Sequence, residues 1–82
     1  MRTIEYYDSE STSWSGIEWP AVVSGMMIRL YEEDGTPITD GTGVYEMNVI
    51  ADAYQQTISG IGEIWTIDIA DPDPTPVPHQ AE

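Results

Sequence analysis

The chain is 82 residues long with a net charge of -13, fifteen carboxylates facing two arginines and no lysine. One small domain of that mass exposes about 4,900 Å² when folded, so each net charge has only roughly 380 Å² to itself. Two cations cannot neutralise a run of phosphates, which excludes direct nucleic-acid binding. The missing lysine and cysteine also exclude phosphate loops, Schiff bases, disulfides, thiol nucleophiles and cysteine-based zinc sites.

Ten isoleucines, five valines and eight threonines stand against one leucine, Leu30, and no phenylalanine. β-Branched side chains suit a pleated surface, whereas leucine and alanine build helices. The chain is therefore expected to be all-β. In chain order, Thr3 to Tyr7 predicts a short first strand that suits a sheet edge. Asp8 to Gly16 is polar and serine-rich, which predicts a loop or arm anchored by Trp14. Ile17 to Val23 is read as extended, with Pro20 at an edge or bulge. Met26 to Glu32 alternates, setting Met26, Ile28 and Leu30 against Met27, Arg29 and Tyr31.

Glu33-Asp34-Gly35 marks a hairpin turn and Thr36 to Thr39 a return strand. A second turn at Asp40 to Gly43 leads into Val44 to Ala51, where Tyr45, Met47 and Val49 oppose Val44, Glu46, Asn48 and Ile50. Tyr54 to Ile58 continues the extended pattern, although Ala51 to Gln56 also fits one turn of helix. Glu63 to Ile69 is the clearest strand, with Trp65, Ile67 and Ile69 on one side. Six or seven short strands with regular turns predict a small antiparallel β-sandwich or barrel. The expected organisation is an N-terminal strand and polar arm over 1–16, a β-rich core over 17–70 and an extended, acidic, Pro-rich arm over 71–82. That last segment carries proline at 72, 74, 76 and 78, so every second residue lacks a backbone donor.

Nothing in this pattern predicts catalysis, a cofactor or a metal. The one histidine, His79, falls in the Pro-rich segment and is expected to be solvated there, with no buried carboxylate to orient it. Glu32, Glu33 and Asp34 fall at a hairpin tip, not in a substrate cleft. Asp68, Asp71 and Asp73 cluster, and Asp34 and Asp40 bracket a short strand, but Ile38 occupies a position where an EF-hand needs an oxygen ligand. No apolar run is long enough for a membrane span, and the N-terminus lacks a signal-peptide core, so a soluble product is expected, in the cytoplasm or in a virion.

The aromatic residues point to binding instead. Trp65 and Tyr45 are assigned to the core, and Tyr7 and Trp14 to the surface as anchors. Two functions fit this pattern. In the first, the protein is a structural component of an assembly, such as a small phage or archaeal-virus capsid- or tail-associated protein. It binds neighbouring subunits through Tyr6, Tyr7 and Trp14 and through Asp71, Pro72, Asp73, Pro74, Pro76, Val77 and Pro78, its acidity matching a high-salt milieu. In the second, alternating carboxylates about 6.6 Å apart along strands imitate phosphates, and the protein inhibits a DNA-binding protein. Glu32, Glu33, Asp34, Asp40, Glu46 and Asp52 supply that stripe. Assembly is preferred, because mimicry leaves the arms unexplained.

Overall fold

The computed structural model describes residues 1–70 and 77–81. Two antiparallel sheets account for most of it. The first has four strands in the order β2-β1-β3-β4: β1 (Thr3–Asp8), β2 (Ser13–Ile17), β3 (Met27–Tyr31) and β4 (Met47–Asn48). The second has three, in the order β5-β6-β7: β5 (Tyr54–Ile58), β6 (Gly62–Ile69) and β7 (Val77–Gln80). Neither an α-helix nor a closed barrel occurs among the described residues, and no helix is long and apolar enough to cross a membrane.

Strand alternation decides what faces inward. Ile4 pairs with Ile17 on one side and Leu30 on the other, and Ile28 pairs with Tyr6 and Met47. These side chains share one face, and Ile4, Ile28, Leu30 and Met47 are fully buried there. From the second sheet, Ile67 and Ile69 close the core, joined by Val22, Val49, Trp19 and Ala81. Burying a side chain of this size contributes about 1.5–3 kcal/mol.

The sheets meet at two seams. Val49 NH donates to Met26 O and Val49 O accepts from Gly25, while on the far side of this segment Ile50 NH reaches Asp68 O and Ala70 NH reaches Asn48 O. At the other seam Arg2 NH donates to Ala81 O at 2.8 Å, tying the start of β1 to the residue after β7.

Several elements differ from the sequence expectation. Asp8 to Gly16 is not a loop: it turns over Ser9 to Thr12 and returns as β2. Asp8 Oδ1 accepts from Glu10 NH, Thr12 takes a φ of 51°, and the serine-rich stretch then pairs residue for residue with β1. Pairing with a formed neighbour outweighs a polar composition. As a result β1 lies inside the sheet and not at its edge.

Trp19–Ala21 is a 3-10 helix led by Pro20, which turns the Trp19 indole into the core, where its Nε1 donates to Arg2 O at 2.8 Å. Trp19 is thus the fully buried tryptophan, while Trp65 and Tyr45 are half-buried against the core. Residues 51–56 form no helical turn. Residues 77–80 form β7, registered on β6 with Ile67 opposite His79 and Ile69 opposite Val77. His79 is therefore half-buried in a strand.

Candidate functional site

The outer face of the four-stranded sheet is built by the same alternation that fills the core. Register sets Thr3 beside Tyr31, Glu5 beside Arg29 and Gly16, and Tyr7 beside Trp14. One face thus presents Glu5, Tyr7, Trp14, Met27, Arg29 and Tyr31, with Tyr7 and Met27 exposed and Trp14, Arg29 and Tyr31 half-buried.

Trp14 is its centre. The Tyr7 ring lies 5.4 Å away, tilted by 59°, a geometry that contributes about 0.5–1.5 kcal/mol beyond burial. From β3 the Arg29 guanidinium reaches across β1 and stacks 4.0 Å above the indole. Its Nη2 donates to Glu46 Oε1 at 2.8 Å, while its Nε is buried without a partner. Hydrogen bonding to Glu46 holds the Arg29 pKa above its ordinary value against the opposing effect of desolvation. Beside it, hydrogen bonding to Glu5, followed by burial, raises the Tyr31 hydroxyl above its usual range. The face offers aromatic surface, one fixed cation and a rim of carboxylates.

Of the residues expected to bind partners, Tyr7 and Trp14 come together here. Tyr6 does not: its side chain is on the inner face, packed against the core. Val77 also packs against the core and Pro78 is exposed on β7, whereas Asp71, Pro72, Asp73, Pro74 and Pro76 lie outside the described residues.

None of the six carboxylates of the mimicry stripe lies in a strand; Glu32, Glu33 and Asp34 are consecutive after β3, and Asp40, Glu46 and Asp52 lie in other connecting segments. Each has an internal partner. Glu32 meets Arg2 at 3.4 Å, Glu33 meets the N-terminal ammonium, and Glu46 meets Arg29. Asp34 accepts from Thr36 NH at 2.9 Å, Asp40 from both Thr42 NH and its hydroxyl, and Asp52 from Ser24 NH at 3.0 Å. These bonds hold the Asp34 and Asp40 pKa values below the ordinary carboxylate value. Asp68 accepts from the Tyr54 hydroxyl, and among the described residues no three metal-ligating side chains cluster.

Arg29, Met27 and Tyr31 are the functional candidates that a search for motifs passes over. Their signal is the side of the alternating Met26 to Glu32 segment opposite Ile28 and Leu30, which holds one of the chain's two arginines. No protein-family model, curated protein or solved structure matches this chain.

Proposed function

We propose that this chain is a non-enzymatic assembly protein that binds neighbouring protein subunits through the outer face of its four-stranded sheet. The observation that carries the reading is Trp14, held between Tyr7 and the Arg29 guanidinium on a face where Tyr7 and Met27 are exposed. Tryptophan, tyrosine, arginine and methionine are the side chains enriched at protein interfaces, and anchors of this kind dominate binding energy. Their fixed geometry reduces the ordering cost of association.

In this reading the two sheets form a small sandwich around one core, and residues 71–78 supply a second contact. A repeated particle such as a virion is the setting that fits a small acidic component of this sort. The test is to isolate the chain in its native complex, determine its stoichiometry and map cross-links to its neighbours. Cross-links are expected at the Tyr7, Trp14 and Met27 face, with Trp14→Ser lost from the complex although it still folds. Recovery of the native protein as a free monomer, or full incorporation of Trp14→Ser, overturns the proposal.

A further inference from the structure

An unguarded strand edge adjoins this face, and its role rests on the assembly proposal. β2 is the outermost strand, and among the described residues its backbone bonds only to β1. Free edges are commonly guarded by lysine, proline, a bulge or an inward charge. Ser13–Ile17 has none of these and contains no charged residue.

Two open clefts border this edge, and Gly16 lines both. The first, of about 440 Å³, includes Ile17, Glu18 and Trp19. The second, of about 400 Å³, includes Glu5 and Tyr31. No atom lies within 4 Å of where a Cβ on Gly16 would sit, and its φ is not positive. The glycine thus leaves space at the sheet surface that its backbone conformation does not require. An added strand passing Gly16 has both clefts within reach for its side chains; the first is lined by Arg2 and Met1 as well as Glu18, whereas the second holds Glu5 and no cation. Main-chain bonds supply affinity and such side-chain pockets supply selectivity in strand addition.

Charge identifies the occupant. Glu5, Asp8, Glu10 and Glu18 all lie on or beside the β1–β2 hairpin, in a chain of net charge -13. Among the described residues a second copy has no unpaired cation to offer, since Arg2 is paired with Glu32, Arg29 with Glu46 and the N-terminal ammonium with Glu33. We propose that the β2 edge accepts an extended lysine- or arginine-bearing segment of a different subunit as a fifth strand, its cations set against Glu5. Long-range attraction speeds encounter, and the backbone ladder fixes position.

The probe is a capped heptapeptide of alternating lysine and threonine, titrated into the full-length protein and followed by backbone amide NMR. Saturable binding is expected, with shifts centred on residues 13–17. Two further peptides carry N-methyl groups on opposite alternate sets of backbone nitrogens. An added strand directs only one set at its neighbour, so one peptide is expected to bind roughly tenfold or more weakly and the other to bind as the parent does. Gly16→Val, which fits a strand, is expected to weaken binding by a similar factor without lowering the melting temperature.

Equal binding by both methylated peptides, shifts confined to other elements, or no saturable binding overturns the proposal. If Gly16→Val fails to fold, the methylated pair on the unaltered protein still decides. Loss of peptide binding while the Trp14-dependent cross-links persist removes the edge inference alone. Loss of those cross-links removes the assembly reading itself.

Discussion

The outer faces of the two sheets solve the same problem in opposite ways. On the three-stranded sheet the outward polar groups satisfy one another: Tyr54 is as exposed as Tyr7, but its hydroxyl donates to Asp68 at 3.0 Å, and Gln80 donates to Gln56 at 3.2 Å. On the four-stranded sheet, Tyr7 and Met27 stay exposed and Arg29 Nε stays unpartnered. A face whose groups are already paired gains little from a partner, because docking only exchanges bonds. A face with open aromatic and methionine surface gains burial. In the proposed reading the four-stranded sheet is the binding face and the three-stranded sheet its support.

Removing residues 77–82 tests most severely whether the supporting sheet is needed by the other. Ala81 is buried in the shared core and bonds to Arg2, and a core of this size holds only about 3–5 kcal/mol. The truncated chain is expected to lose the circular dichroism signal of both sheets; a folded four-stranded sheet without β7 would break the comparison. Such a deletion therefore cannot by itself report on binding.

Next in size, Leu30→Ala and Ile67→Ala empty fully buried sites, one in each sheet. Each is expected to cost about 2–5 kcal/mol and to lower the midpoint of one common unfolding transition. Two separate calorimetric transitions would show that the sheets are independent.

The contrast between faces is sharpened by a matched pair. Trp14→Ser is expected to cost about 1 kcal/mol of stability and to abolish association. Gln56→Ala, with about 0.5–1.5 kcal/mol lost, is expected to leave association intact. Both are read by chemical denaturation and by incorporation into the native complex, and equal incorporation of the two would erase the distinction.

Smaller still is the effect of pH through His79. Burial first, and the nearby charge of Arg2 second, push its pKa below 6.5. The folded protein then binds fewer protons than the unfolded chain. Stability from this group is full above the unfolded value and drains as pH falls below about 6.5 toward the lower folded value. Melting temperatures measured across that window are expected to fall, and His79→Gln to flatten the slope. The slope persisting unchanged in the variant would assign it to other groups. Finally, raising salt from about 0.01 M to about 1 M, which shortens the Debye length from about 30 Å to about 3 Å, is expected to raise the melting temperature by screening self-repulsion.

Whether a strand is legible in the sequence depends on whether its reason for existing is local. Ile28 with Leu30, Met47 with Val49, and Ile67 with Ile69 announce their buried face by alternation alone, and all six are buried. β2 and β7 carry no such mark. Serines in one and prolines in the other read as irregular chain, and only pairing with β1 and β6 makes them strands. Pro78 is accommodated because β7 is the outermost strand of its sheet, where a missing donor can be tolerated.

At the candidate site, Trp14 and Tyr7 stand out in the sequence as aromatic residues in or beside a polar segment. The stacking of Arg29 on Trp14 does not, because it joins β3 to β2 across the intervening β1. An acidic stripe is suggested by charge alone; the bonds that those carboxylates make to turn backbone and to arginine are not legible there.

The bond from Arg2 to Ala81 also sets a timetable. Closing a loop of about 80 residues costs on the order of 4 kcal/mol of chain entropy, and this contact forms only after residue 81 has been synthesised. β1, made first, has β2 and β3 to pair with early, but the layer that covers their apolar side arrives last. Non-local pairing of this kind places refolding roughly in the millisecond-to-second range. During synthesis the isoleucines of β1 and β3 must therefore wait, half-paired and open to other chains, for the strand that completes their enclosure.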